Sequence, residues 1–174
     1  TGVDLDHDGI GNSPHILDAN NTDNCPLMGI FSSFNTSLGL YVNIISNSTI
    51  ENFQYFESNS TVKMYVSNMT TDQTFGFCRV CIPKNLMPPP YAVVIDDGLT
   101  EVLYFNDTIY YNDTHRWIYF AYQHSTHEVD IVPEFPTLTS VLSMLIVLTV
   151  AIAISKRKLY QIQRQVFGSP VTRS

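Results

Sequence analysis

An apolar stretch without a charged side chain, residues 135–155, constrains this chain more than any other sequence feature. As an α-helix, its 21 residues cover roughly 32 Å at about 1.5 Å per residue, which matches the roughly 30 Å hydrocarbon core of a bilayer. The polar side chains within it are hydroxyls, and these can bond to carbonyls of the same helix. The stretch therefore predicts one transmembrane helix, at residues 137–155.

The charges on the two sides of this stretch have opposite sign. Residues 1–134 contain all sixteen acidic but only four basic side chains, a formal charge of −12, whereas residues 135–174 carry +5. The basic cluster Lys156, Arg157 and Lys158 follows the stretch directly, and the positive-inside rule then predicts a cytoplasmic C-terminus and an extracellular N-terminus. An acidic body with scattered basic residues argues against nucleic acid as a partner. We expect a single-pass protein of the cell membrane, cut from a longer secreted precursor.

Asn-x-Ser/Thr sequons favour the same extracellular location, because all seven precede the apolar stretch. Several are expected by chance in a chain rich in Ser, Thr and Asn, so the set counts for more than any one site. Together they predict a glycosylated surface protein. The candidate glycosylation sites are Asn20, Asn35, Asn47, Asn59, Asn68, Asn106 and Asn112.

Short β-type runs separated by polar turns fill the region from residue 30 to residue 132. Several of these runs alternate apolar and polar residues, which is typical of a sheet with one solvated face. Strand number and domain size predict an all-β fold of the immunoglobulin-like β-sandwich type. The predicted strands are residues 38–45, 49–56, 61–66, 75–82, 91–95, 101–105, 117–122 and 128–132.

Two connections in this region have strong local signals. Asp96, Asp97 and Gly98 form a tight-turn signal, which predicts a hairpin between strands 91–95 and 101–105. Residues 84–90 contain three prolines, which remove backbone donors, so this segment is predicted to be a crossover loop.

Three cysteines are too few for a disulfide framework, so a hydrophobic core must stabilise the body. Cys78 and Cys81 have CxxC spacing, but positions three apart on a strand point to opposite faces. We expect one buried thiol and one exposed or loosely paired thiol, with no shared metal. The sequence contains no nucleophile elbow, phosphate loop or HExxH motif, and we expect no catalytic activity.

The N-terminal sequence DLDHDG places carboxylates at alternate positions before a glycine. Such loops wrap a hard cation in oxygen ligands, and Ca²⁺ takes six to eight of them. His15 stands at loop position twelve, where an EF-hand has a bidentate Glu, so a stand-alone Ca²⁺ loop is predicted. A solvated acidic turn and a zinc site through His7 and His15 are the alternatives. The predicted Ca²⁺ ligands are Asp4, Asp6, Asp8, the Ile10 carbonyl, and Asn12 or Asp18.

The sequence around this loop resembles a known pattern. Residues 6–18, DHDGIGNSPHILD, with residues 21–28, NTDNCPLM, look like the segment that closes right-handed parallel β-helix domains of the NosD-like type in archaeal surface proteins. Asn12 replaces the usual Asp of that pattern, and Cys25 replaces an aromatic residue. The resemblance implies that residues 1–29 are the last coil and cap of a β-helix whose other coils lie upstream.

The stem before the apolar stretch has a second resemblance. Pro133, Glu134, Phe135 and Pro136, followed by the apolar stretch and the basic cluster, are similar to the PEF-CTERM type of archaeal sorting signal. The resemblance implies that an archaeosortase cleaves near the motif and transfers the protein to a lipid-type anchor. The tail is longer than such signals usually carry, so a retained membrane helix is equally open.

These observations predict a non-catalytic, membrane-anchored archaeal surface protein whose β-sandwich serves as a spacer or binds surface glycans or S-layer protein. One alternative is the accessory and anchoring region of a polysaccharide lyase or hydrolase with a β-helix catalytic domain. Another is a NosD-like protein that handles copper. The predicted segments are a β-helix end with a calcium loop (1–29), a β-sandwich ectodomain (30–132), a PEF-type stem (133–136), a transmembrane helix (137–155) and a basic cytoplasmic tail (156–174).

Overall fold

The computed structural model describes residues 3–134 and, further along the chain, residues 145–149, 152 and 154–156. The chain forms two compact units, Thr1–Glu134 and Phe135–Ser174. Among the described residues, no helix is both long enough and apolar enough to cross a membrane. Most of the predicted transmembrane helix and nearly all of the predicted tail lie outside the described residues.

The first unit is all-β, as the alternating sequence pattern predicts. Its only described helical element is a short 3₁₀ turn at Asp96–Gly98. The strands are β1 (His15–Ile16), β2 (Thr22–Asp23), β3 (Ile30–Asn35), β4 (Tyr41–Ser46), β5 (Ser48–Phe56), β6 (Thr61–Asn68), β7 (Phe75–Pro83), β8 (Tyr91–Ile95), β9 (Val102–Tyr111), β10 (His115–Gln123) and β11 (His127–Pro133).

The strands form three antiparallel sheets. β1 and β2 make a small two-stranded sheet. A five-stranded sheet has the order β3-β4-β7-β10-β9, and a four-stranded sheet has the order β5-β6-β11-β8. The register between β7 and β10 is continuous from Phe75↔Gln123 to Pro83↔His115.

One hydrophobic core is shared by the two larger sheets. Alternate residues of each strand point to this core, as the period of two along a strand requires. Each fully buried aliphatic or aromatic side chain contributes about 1.5–3 kcal/mol to the free energy of unfolding. The five-stranded sheet contributes Val42, Ile44, Cys78, Val80, Ile82, Ile118, Phe120 and Tyr122, and the four-stranded sheet contributes Val62, Met64, Val66, Tyr91, Ile95, Val129 and Ile131.

The proline-rich segment between β7 and β8 is a crossover loop, as predicted, and connects the two larger sheets. It also contributes to the core, because Leu86 and Met87 are buried. Their carbonyls accept hydrogen bonds from the hydroxyls of Tyr55 and Tyr91, at 2.7 and 2.8 Å. These bonds satisfy loop carbonyls that would otherwise be buried without partners.

All eight predicted strands are present, with ends that shift by up to six residues. The sequence pattern does not predict β3. Its outward residue Phe31 is 55% exposed, and the terminal Ile30 is equally exposed, so apolar character there does not mark burial. Phe34 anchors the strand by stacking on Phe53, with ring centroids 4.5 Å apart.

The predicted hairpin between residues 91–95 and 101–105 is wrong. β8 pairs with β11 in the four-stranded sheet, whereas β9 pairs with β10 in the five-stranded sheet. The turn at Asp96–Gly98 is tight, with φ of 50°, 55° and 84°, but it carries the chain from one sheet to the other. The Asp96 carboxylate accepts the backbone N–H of Glu128 at 2.9 Å, which ties the turn to β11. A turn signal specifies a reversal and leaves the pairing of the next strand open.

The shared core makes a prediction about stability. Phe120 is fully buried, so Phe120→Ala is expected to lower the free energy of unfolding by about 3–5 kcal/mol through lost burial and a cavity. Leu99, which is 90% exposed, is the control, and Leu99→Ala is expected to change the free energy of unfolding by less than about 0.5 kcal/mol. Urea unfolding of the purified chain measures both, and similar losses would contradict this core.

Candidate cation site

The N-terminal loop, residues 4–12, lies against the outer face of the five-stranded sheet. Arg79 of β7 donates from Nη1 to the Asp8 carbonyl at 2.7 Å and to the Asp8 carboxylate at 3.3 Å. Gly9 is buried beside Arg79 and Phe77, where a Cβ atom would lie 3.1 Å from the Arg79 Cβ. The loop is therefore docked on β7 by an ion pair and by a close backbone approach.

Aromatic contacts and a backbone pairing complete this docking. The His7 ring lies 4.7 Å from the Tyr104 ring and 6.0 Å from the Tyr119 ring, measured between centroids. The loop backbone pairs with residues 26–28 through two hydrogen bonds. The Gly11 N–H donates to the Pro26 carbonyl at 2.7 Å, and the Met28 N–H donates to the Gly9 carbonyl at 3.0 Å. The start and the end of the N-terminal segment are thus joined over the sheet.

The structure brings Asp4, Asp6 and Asp8 together, as the alternating carboxylates predict. One oxygen from each lies within 4.8 Å of the others. Asp4 accepts the N–H groups of Asp8 and Gly9 at 3.0 and 2.9 Å, and Asp8 accepts that of Ile10 at 2.7 Å. These bonds fold the loop around the Asp4 and Asp8 carboxylates, and Asp6 lies between them in the chain.

The other predicted ligands divide into two groups. Ile10 and Asn12 belong to the same loop, and the side-chain amide oxygen Oδ1 of Asn12 accepts the Leu5 N–H at 2.5 Å. Asp18 lies elsewhere, in the turn between β1 and β2, and is not a member of the carboxylate cluster. There, hydrogen bonds from the Asn21 side chain and the Asn20 backbone lower the pKa of Asp18. Asp18 is thus a turn residue in this structure.

A second acidic cluster, which the sequence does not reveal, comprises Asp97 of the 3₁₀ turn and Glu128 and Asp130 of β11. The Lys63 ammonium contacts Glu128 at 2.5 Å and Asp130 at 3.4 Å, and the Tyr65 hydroxyl donates to Glu128. The Lys63 hydrogen bond lowers the pKa of Glu128, whereas burial raises that of Asp130. The lysine already neutralises much of this charge. The pairing of β11 with β6 on one side and with β8 on the other brings Lys63 and these carboxylates together.

Cys78 and Cys81 point to opposite faces of β7, as predicted. Cys78 lies in the shared core, and Cys81 lines a cleft on the outer face beside Trp117. Of the predicted exposed or loosely paired thiol, exposure is wrong, because outer-face neighbours leave Cys81 only 6% exposed. Burial raises the pKa of both thiols to about 11. Neither has the lowered pKa of a reactive thiolate.

Most of the candidate glycosylation sites are exposed. Asn47 and Asn106 are half-buried, and the other five are exposed. Asn47 has a structural role, because its Nδ2 donates to the Phe75 carbonyl at 3.1 Å and its Oδ1 accepts the Phe77 N–H at 2.9 Å. Nδ2 is the atom to which an N-linked glycan would be attached.

The predicted sorting motif begins inside the first compact unit, Thr1–Glu134. Pro133 is buried as the last residue of β11 and pairs with Tyr91. The Glu134 N–H donates to the Pro90 carbonyl at 2.8 Å. Phe135 and Pro136 lie outside the described residues. The first compact unit therefore includes the first half of the predicted stem.

No family model, curated protein or solved structure matches this chain. The function proposed for this chain therefore rests on its own sequence and on the contacts of its residues.

The docking of the N-terminal loop is testable through two glycines of similar backbone conformation. Gly9 and Gly39 have φ of 79° and 72°, so alanine strains both backbones by about 1–2 kcal/mol. At Gly9 the methyl group also meets Arg79 and Phe77, whereas at Gly39 it meets open space. We expect Gly9→Ala to lower the free energy of unfolding by about 1–3 kcal/mol more than Gly39→Ala. Equal losses in urea unfolding would show that the loop is not docked.

Glycan occupancy provides a second test. Asn47 is half-buried in the bend between β4 and β5, so a glycan on Nδ2 would replace one of its two N–H groups and crowd the contacts that this side chain makes with β7. We expect glycopeptide mass spectrometry to find Asn47 unoccupied even where exposed sequons such as Asn59 and Asn68 are occupied. Full occupancy at Asn47 in the folded protein would contradict the position of this side chain.

Proposed function

We propose that this chain is the membrane-proximal part of an archaeal cell-surface protein. In this proposal, an immunoglobulin-like β-sandwich holds an upstream segment away from the membrane, and a Ca²⁺ ion at Asp4, Asp6 and Asp8 rigidifies the junction between them. The proposed role is mechanical and non-catalytic. The single observation that carries it is a three-carboxylate loop docked on the outer face of the five-stranded sheet.

The charges of the loop favour a cation. Three carboxylates within 4.8 Å of one another repel, and Arg79 contacts only Asp8. A divalent ion removes the remaining repulsion, and carboxylate and carbonyl oxygens are the ligands that Ca²⁺ prefers. The Ile10 carbonyl and Asn12 are further oxygen donors of the same loop. An amide oxygen has two lone pairs, so the bond from Leu5 leaves Asn12 able to bind a cation.

The contacts of the loop explain how a bound ion would act on the whole unit. Asp8 contributes to the carboxylate cluster and also accepts from Arg79, so ion binding and sheet docking share one residue. Residues 9–11 also pair with residues 26–28, which lead directly into β3. An ion would therefore hold the N-terminal segment at a fixed position on β7. The resemblance to segments that close NosD-like β-helix domains supports a β-helix as the upstream segment.

The surface location rests on features of the sequence. Seven sequons precede the uncharged stretch, and three basic residues follow it. They support an extracellular N-terminus, a cytoplasmic C-terminus and a single membrane span. The similarity to PEF-CTERM signals supports, as the other form of attachment, an archaeosortase-transferred lipid anchor. In either form the partners are the membrane and the surrounding glycans or S-layer.

A calcium titration tests the proposed ion. The wild-type chain is expected to gain unfolding free energy with Ca²⁺, roughly 2.7 kcal/mol at one hundred times the dissociation constant. Asp6→Ala removes one ligand of the cluster and is expected to lose most of this gain. Asp18→Ala is the matched control and is expected to retain it, since Asp18 lies outside the cluster.

The measurement is the thermal midpoint of the chain with and without Ca²⁺, with EDTA as reference. A wild-type midpoint that Ca²⁺ leaves unchanged would contradict the proposed ion. A gain that survives in Asp6→Ala but disappears in Asp18→Ala would move the ion to the turn between β1 and β2.

A further inference from the structure

The outer face of the five-stranded sheet is divided into two halves. The N-terminal loop covers the half that contains Phe77 and Tyr119, which are 4% and 2% exposed. The other half remains open at Phe31 and Tyr41, which are 55% and 54% exposed. We call this half the Trp117 face, and its residues are Phe31, Tyr41, Asn43, Ile45, Cys81 and Trp117.

The register of the strands places these residues side by side. Asn43 of β4 pairs with Cys81 of β7, which in turn pairs with Trp117 of β10. A cleft of about 120 Å³ lies among Phe31, Asn43, Ile45, Arg79, Cys81 and Trp117. The Trp117 ring is held edge-on by Tyr110, with centroids 5.0 Å apart.

The chemistry of the Trp117 face is aromatic and polar without carboxylates, in a unit of charge −12. Asn43 provides an amide, whose oxygen accepts the Ser33 hydroxyl at 2.7 Å. Sugar rings match such a surface, because their C–H faces pack on aromatic rings while their hydroxyls bond to amides.

Asn35, a candidate glycosylation site, lies on the same face of the sheet. Along β3, Phe34 points inward and stacks on Phe53, so the next residue, Asn35, points outward. Asn35 pairs directly with Tyr41 of β4. From β3 to β10 there are three strand spacings, about 14 Å, a distance that the first sugars of a glycan can follow along the sheet.

We propose that the first sugars of an N-linked glycan on Asn35 pack on the Trp117 face, over Tyr41 and toward the cleft beside Trp117. This inference rests on the glycosylation that the proposed function includes. Covalent attachment gives the glycan an effective concentration on the order of millimolar, which favours it over a free saccharide. The glycan and a second copy of the chain compete for this face, because both cannot cover it at the same time. The glycan would also shield the edge strand β3, whose outer backbone groups are otherwise a template for pairing.

Trp117 is the only tryptophan of the chain, so its fluorescence reports on this face alone. The experiment compares the glycosylated full-length protein with Asn35→Gln, which removes the glycan. The matched control is Asn59→Gln, which removes a sequon from the turn between β5 and β6 of the four-stranded sheet. Ser37→Thr keeps the Asn35 sequon and controls for changes in the turn between β3 and β4.

The readouts are acrylamide quenching of Trp117 and glycopeptide mass at Asn35. In Asn35→Gln, we expect quenching to increase roughly twofold, because the ring face returns to water. Asn59→Gln and Ser37→Thr are expected to remain at the wild-type value. Tyr41→Ala, which keeps the glycan but removes its first contact, is expected to lie between wild type and Asn35→Gln.

The outcomes separate the inference from its premise. If Asn35 carries a glycan and Asn35→Gln leaves quenching unchanged, the packing is overturned while glycosylation stands. If Asn35 carries no glycan, both the premise at this site and the packing are overturned. Quenching that falls with increasing protein concentration in every variant would instead assign the face to a second copy of the chain.

Discussion

The pairing of β7 with β10 is the interaction on which the rest of the structure depends. Nine consecutive residue pairs join these two strands, and they are inner strands of the five-stranded sheet. Their inward residues, such as Val80 and Phe120, form the shared core, whereas their outward residues Phe77 and Tyr119 stack under the N-terminal loop. A slip of one residue would exchange these two sets, so the core and the docking surface are specified together.

The few basic residues of the acidic unit are placed where they connect separate parts of it. Arg79 ties the N-terminal loop to β7, Lys63 joins β6 to the carboxylates of β11, and Arg116 of β10 binds Asp107 of β9. The fourth, Lys84, lies over the Tyr111 ring and donates to the Asn112 carbonyl. Most of the remaining carboxylates are exposed to solvent, and Asp4, Asp6 and Asp8 form the cluster at which the proposed Ca²⁺ ion would bind.

The two halves of the outer sheet face follow from this arrangement. The loop that Arg79 holds covers one half, and the Trp117 face is the remainder. A calcium-stabilised junction and a glycan-covered face would make the five-stranded sheet the organising layer of the unit. Both proposed elements lie outside the core, so they would modulate stability and association without changing the fold.

The strands could be predicted because alternation is a local property. Val62, Met64 and Val66 identify their own strand and its buried face without reference to any partner. Pairing is not local in the same way. The turn at Asp96–Gly98 has a strong sequence signal, yet only the competing partners β10 and β11 decide that it links two sheets. Likewise, the exposed residues of β3 have no pattern that separates a strand from a loop.

The candidate site shows the same division. By itself the sequence determined the all-β class, the spacing that brings Asp4, Asp6 and Asp8 together, and the opposite directions of Cys78 and Cys81, because each depends only on neighbours along the chain. Only the tertiary structure decided that Arg79 docks the loop, that Cys81 is buried, and that Asp18 lies apart from the other carboxylates. Those facts depend on which distant strands meet, and the free energy of that choice is distributed over the whole core.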